Sequence, residues 1–187
     1  LKGKRSYLFC GGYGNGKTET AMRIGEAATA QGYLFAYVKS SKDFTKILAL
    51  SRNYPKLLIF MEDLDELASG GERGEVINNV LNTLDGIDSK NSNVKVIFTT
   101  NHEKKLNPAL RRPGRLDLIT RFENPEVGTA CLIMNYQFEK HMVKLTPDID
   151  VKAAIELLAT FTANESRTVS GAVVAEVANR AVRMFQL

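Results

Sequence analysis

The chain has 187 residues, enough for one domain with a small satellite and for a core that needs no disulfide or metal staple. Charged residues make up 25% and hydrophobic ones 44%, with 14 Gly and 5 Pro, which excludes disordered and collagen-like chains. The net charge of +4 is too small to imply nucleic acid, and no apolar run approaches the roughly 20 residues of a membrane span. With no signal-peptide pattern and only Cys10 and Cys131, the expectation is a soluble intracellular protein in a reducing compartment.

Charge is unevenly spread: +7 over residues 1–56, −6 over 57–91, +4 over 92–125 and −1 over 126–187, blocks that read first as solvated faces. The chain opens on Leu1 rather than Met and reaches a glycine-rich loop at Gly11, so it reads as part of a longer or processed protein.

Residues 5–10 (RSYLFC) read as a short buried strand running into the glycines of 11–16. The Ala-rich stretch 18–31 lacks Pro and stops at Gly32, the signature of a helix with a C-terminal glycine. A strand at 33–39 follows, then a helix over 42–53 capped by Ser41 and closed before Pro55. Residues 57–61 (LLIFM) form a continuous apolar strand, and Val76, Ile77, Val80, Leu81 and Leu84 recur at helical spacing. Strands are expected at 94–100 and 116–123, with a short helix at 108–111 between them. Such alternation argues for a parallel sheet covered on both faces.

Beyond Asn124-Pro125 the pattern is helical only. Val127, Cys131, Met134 and Phe138 share one face, 150–160 forms a second helix, and Val173, Val174, Val177, Ala178, Ala181 and Phe185 stripe a third. The expected division is an α/β core over 1–125 and a small all-α lid over 126–187.

The segment Gly11-Gly12-Tyr13-Gly14-Asn15-Gly16-Lys17-Thr18 fits G-x-x-x-x-G-K-[ST] between a predicted strand and a predicted helix. Glycines let successive backbone N–H groups turn inward around a phosphate, the helix adds its positive N-terminal end, Lys17 reaches the β- and γ-phosphates, and the Thr18 hydroxyl ligates Mg²⁺. Residues 12–19, Glu19 included, are therefore the expected nucleotide-binding set, with Mg²⁺. A phosphate loop of this kind needs a further carboxylate for Mg²⁺ and a group that orients the attacking water. The 57–61 strand delivers Glu62 and Asp63 at its C-terminal end, where ligands sit on a parallel sheet. Asp65 and Glu66 offer a second register, but they follow Leu64 and read as solvated or helix-capping groups. Cys10 reads as a small buried hydrophobe, Phe44 as a core residue, and His102 and His141 with two distant cysteines do not make a zinc site.

The run Leu57-Leu58-Ile59-Phe60-Met61-Glu62-Asp63-Leu64-Asp65 resembles the Walker B motif of the AAA+ ATPases, with the family's usual Asp-Glu order swapped. The resemblance implies a five-stranded sheet of order 5-1-4-3-2, with Glu62 on the Mg²⁺ side and Asp63 polarising water. Residues 75–123 are similar to the family's second region of homology. Thr99-Thr100-Asn101 matches its sensor of the γ-phosphate, which gives Asn101 that role. Asn107-Pro108-Ala109-Leu110-Arg111-Arg112-Pro113-Gly114-Arg115 resembles its arginine-finger segment, which assigns Arg112 and Arg115 to a neighbouring subunit's nucleotide. Ser170-Gly171-Ala172 resembles its sensor-2 turn, so Gly171 and Ala172 join the nucleotide set. The swapped acids, Thr-Thr-Asn-His at 99–102 and Lys4-Arg5-Ser6-Tyr7-Leu8 resemble in particular the mitochondrial Rieske-protein translocase branch.

Two departures stand out. Gly-Gly-Tyr replaces the family's common Gly-Pro-Pro, and the loop at Ser40-Ser41 is too short for a long aromatic pore loop. The implied function is an ATP-hydrolysing module of a ring, a hexamer, that remodels a protein client or complex. The rival readings are a nucleotide-gated scaffold with little turnover and a nucleic-acid motor or loader.

Overall fold

The computed structural model describes residues 6–67, 93–106, 108–111, 115–141, 150–161 and 170–185. The helix expected over 76–84, the basic pair Lys4-Arg5 and Arg112 lie outside these residues. By its contacts the chain divides into two compact units, Leu1–Gly11 with Lys17–Phe122, and Gly12–Gly16 with Glu123–Leu187.

The first unit is a five-stranded parallel sheet flanked by helices. Its strands are β1 (Ser6–Gly11), β2 (Leu34–Val38), β3 (Lys56–Met61), β4 (Asn93–Thr100) and β5 (Leu118–Phe122). Their order is β2-β3-β4-β1-β5, the expected order read from the other edge, and every pairing is parallel. The helices are α1 (Lys17–Thr29), α2 (Ser41–Ala49) and a single turn, α3 (Leu64–Leu67).

Alternation along the strands sends successive side chains to opposite faces. Leu8, Cys10, Leu57, Ile59, Met61, Val96 and Phe98 enter one buried cluster with Phe44 of α2. Tyr7, Phe9, Leu58, Phe60 and Ile97 enter the other, against Ala21 and Ala28 of α1. That two-sided burial is why the central strands read as unbroken apolar runs rather than as alternating ones. Phe44 packs in the core as expected, its ring centroid 6.0 Å from that of Phe98. Cys10 is buried as expected, and its thiol also donates to Glu103 Oε2 at 3.4 Å.

Three local expectations shift. Ser40, not Ser41, caps α2: its hydroxyl oxygen accepts from the Asp43 amide at 3.1 Å, because only the residue before the first helical turn reaches the third amide. α2 ends at Ala49, and a 3₁₀ turn (Leu50–Arg52) completes the stretch ahead of Pro55. Leu116 and Asp117 precede β5 rather than belonging to it: Asp117 is turned to Ser6, whose amide donates to Asp117 Oδ2 at 3.0 Å.

The second unit contains three described helices, α4 (Val127–Lys140), α5 (Val151–Phe161) and α6 (Gly171–Phe185). Their shared core is Ala130, Met134 and Phe138 of α4, Ile155 of α5, and Val174 and Ala178 of α6, with Val127 and Cys131 partly buried against it. The α6 stripe is narrower than expected, since Val173 and Val177 are exposed. Neighbours on a helix lie about 100° apart, so a core that takes 174 and 178 turns 173 and 177 outward. Among the described residues no helix is long and apolar enough to cross a membrane.

Candidate functional site

In a parallel sheet the C-terminal strand ends gather on one side, and three of them carry the polar residues singled out above. β1 ends at Gly11, where the backbone φ is +150° and a Cβ would sit 2.0 Å from the Phe122 carbonyl oxygen of β5. Only glycine lets the chain leave the sheet at that point. Lys17 then opens α1 almost fully buried, with its Nζ donating to the Gly11 carbonyl at 2.9 Å. Burial pushes the Lys17 ammonium below its ordinary pKa, while the carboxylates of Asp63, Asp65 and Glu62 pull it back up.

β3 delivers Glu62 and Asp63. The Thr18 hydroxyl donates to Glu62 Oε1 and the Tyr37 phenol of β2 donates to Glu62 Oε2, so both carboxylate oxygens are engaged. That bond, with burial added, pushes Tyr37 up to about 12, because ionising it would set an anion against a carboxylate. Asp63 takes a left-handed backbone, φ +48°, and its amide donates to Thr99 Oγ1 at 3.1 Å. Its Oδ1 accepts from Asn101 Nδ2 at 2.9 Å, which joins the ends of β3 and β4 through their side chains.

Asp65 is neither solvated nor a helix cap. It is 4% exposed, and its Oδ1 accepts from the Thr100 hydroxyl at 2.5 Å and from the Asn101 amide at 3.2 Å. The turn that follows β3 folds this carboxylate back onto the end of β4, where it fixes the residue that carries Asn101. Spacing shows Asp65 one turn beyond Glu62, but not that β4 lies beside it.

Arg115 is half-buried, and its backbone carbonyl accepts from the Ser6 hydroxyl, which is itself held by Asp117. Glu19 lies on the exposed side of α1 and pairs with Arg23 at 2.9 Å. Tyr37 and Asp65 are the polar residues that sequence reasoning did not assign to the site, and sheet order is what exposes them.

In the second unit the loop Gly12–Gly16 meets the start of α6. The Ala172 amide donates to the Gly14 carbonyl at 2.9 Å, and a Cβ on Gly14, whose φ is +75°, would lie 2.7 Å from the Ala172 Cβ. Ser170 caps α6, its oxygen accepting from the Val173 amide at 3.4 Å. Gly171 and Ala172 thus lie beside the loop they were grouped with. Tyr13, within that loop, is 64% exposed.

A divalent cation suits the first unit's donor set. The Thr18 hydroxyl and the Glu62 carboxylate are hard oxygen ligands already in contact, and Mg²⁺ takes one or two protein oxygens alongside phosphate oxygens and water. Among the described residues there is no group of three or more His, Cys, Asp or Glu that could cage a metal by itself.

Comparison with known proteins bears on the same residues. A family model described as "ATPase family associated with various cellular activities (AAA)" matches residues 7–124. The chain is 32% identical to an ATP-dependent zinc metalloprotease FTSH, chloroplastic, of Helianthus annuus, over 62% of this chain and 48% of that protein. It is 30% identical to a 26S proteasome regulatory subunit 4 homolog of Saccharomyces cerevisiae, over 83% of this chain and 39% of that one. It is 37% identical to a probable mitochondrial chaperone bcs1 of Schizosaccharomyces pombe, over 62% and 27% respectively. The chain thus spans less than half the length of these relatives.

Proposed function

The chain belongs to the AAA family of ATPases, and from that footing we propose that it is the MgATP-hydrolysing module of a ring-forming, hexameric protein that remodels a protein client or complex. The observation that carries the reading is the Thr18–Glu62 contact set beside the Asp63–Asn101 pair. It supports the reading because a hydroxyl–carboxylate pair of the kind Mg²⁺ takes and a carboxylate–amide pair able to hold a water are what phosphoryl transfer requires. Relatives named as a protease, a proteasome regulatory subunit and a chaperone favour a protein client over nucleic acid.

Each group then has a task. Gly12, Tyr13, Gly14, Asn15 and Gly16 wrap the phosphates with backbone N–H groups, and Lys17 leaves the Gly11 carbonyl for the β- and γ-phosphates. Gly171 and Ala172, beside that loop, and Glu19 on α1 complete the proposed nucleotide set. Thr18 and Glu62 would hold Mg²⁺. A bound Mg²⁺ supplies charge neutralisation on the transferring phosphate and orients its oxygens. Asp63 accepts a hydrogen bond from the attacking water and aligns it, while Asn101 both steadies Asp63 and contacts the γ-phosphate. Arg112 and Arg115 supply guanidinium charge to a neighbouring subunit's nucleotide, a homo-oligomeric partner in the simplest ring.

Calorimetric titration with MgATP tests the site directly. Lys17→Ala is expected to abolish binding with the far-UV spectrum unchanged. Unaltered ATP affinity in that variant would remove the phosphate-loop reading.

A further inference from the structure

The geometry points to Tyr37 as the residue that positions Glu62 for metal binding, an inference that rests on the nucleotide reading above. A glutamate at a strand end has three side-chain torsions and, half-buried, can swing toward water. Here each of its two oxygens is held by a different element: Oε1 by the Thr18 hydroxyl at the start of α1, and Oε2 by the Tyr37 phenol on β2. With Oε2 fixed, Oε1 is left facing the threonine that shares the proposed metal.

Tyr37 is itself held firmly. It pairs in register with Phe60, and Val38 with Met61, so β2 runs alongside the two residues that lead into Glu62. Its ring stacks on Phe60, with centroids 5.2 Å apart and planes inclined by 18°, and the Lys39 ammonium lies 5.5 Å from its ring centre. Tyr37 is 42% exposed, so the core does not need the hydroxyl, and the stacking is available equally to phenylalanine. A plain surface tyrosine on an edge strand would turn its phenol to water. This one spends it on a carboxylate from the neighbouring strand.

Tyr37→Phe removes the hydroxyl and keeps the stacked ring, so packing and metal positioning can be separated. Binding of a non-hydrolysable ATP analogue is measured by calorimetry in EDTA and again in Mg²⁺, and the ratio of the two affinities is the readout. Wild type sets that ratio. In Tyr37→Phe the ratio is expected to drop about tenfold, the scale of one lost hydrogen bond to a charged group, with the EDTA affinity and melting temperature unchanged. In a Glu62→Gln background the same change is expected to add no further loss, because Tyr37 acts through that carboxylate.

An unchanged ratio in Tyr37→Phe overturns the inference. So does an equal loss of affinity with and without metal, or a full tenfold loss persisting beside Glu62→Gln. Wild-type protein that binds no nucleotide under either condition would instead overturn the proposed function.

Discussion

Among the described residues other than glycine, Asp63 alone has a positive φ. A left-handed backbone costs an ordinary side chain roughly 1–2 kcal/mol, less for Asp and Asn, and it aims the carboxylate at Asn101 rather than along the strand. Asp63→Asn tolerates the same backbone and keeps a hydrogen-bonding oxygen, but the amide polarises water poorly. The variant is expected to bind MgATP with near-native affinity and to lose phosphate release, which a coupled phosphate assay measures. Turnover surviving in Asp63→Asn but lost in Glu62→Gln would reverse the two roles. Tyr7 carries a different kind of prediction. Burial in β1, with Asp117 nearby, raises its pKa. The folded phenol therefore keeps its proton where the unfolded one, near 10, has lost it. Stability that is complete below pH 10 is thus lost as pH rises above it, and Tyr7→Phe is expected to flatten that decline in urea midpoints taken from pH 9 to 11. Motif spacing makes Glu62, Asp63 and Lys17 legible in the sequence. Tyr37 and Asp65 are not, because their partners sit 25 and 35 residues away on strands whose adjacency no local pattern encodes.

At the scale of elements, continuous apolar runs locate β1, β3 and β4 well, since strands buried on both faces have no polar positions to confuse the pattern. The ends are less legible. α2 begins after Ser40 because the cap is decided by which hydroxyl reaches the Asp43 amide, and two adjacent serines look alike in a sequence. Ser40→Ala is expected to lower unfolding free energy by about 1 kcal/mol, read from the urea midpoint at constant m value. A loss within error would move the cap elsewhere. β5 is shorter than expected because Asp117 leaves the strand direction, its carboxylate accepting from the Ser6 amide and its own amide donating to the Ser6 hydroxyl oxygen. The Ser6 hydroxyl also donates to the Arg115 carbonyl, so the backbone of Arg115 is tied to the first strand of the sheet.

At the scale of the whole molecule, a finger acting in trans predicts complementation. In full-length protein, Arg115→Ala is expected to bind ATP nearly normally and to hydrolyse it more slowly by about 10³–10⁵, the scale seen when a guanidinium is withdrawn from phosphoryl transfer. Mixed with Lys17→Ala, it is expected to regain part of that rate, since one variant supplies arginines and the other an intact pocket. A mixture that stays inactive, with assembly confirmed by light scattering, would put Arg115 to work within its own subunit. The sequence by itself determined the fold class, the phosphate loop and the two acids at the end of β3. Glycine spacing, apolar period and strand-end position are local properties, and the physics that reads them acts over a few residues. Only the tertiary structure decided that β2 lies beside β3 and β4 on its other side, which brings Tyr37 to Glu62 and Asp65 to the Asn101 backbone. It also decided the contact itself between the phosphate loop and α6, in which the Ala172 amide donates to the Gly14 carbonyl. The Tyr37 and Asp65 contacts are hydrogen bonds between residues far apart in the chain, and their partners are selected by sheet order, which no run of neighbouring residues specifies.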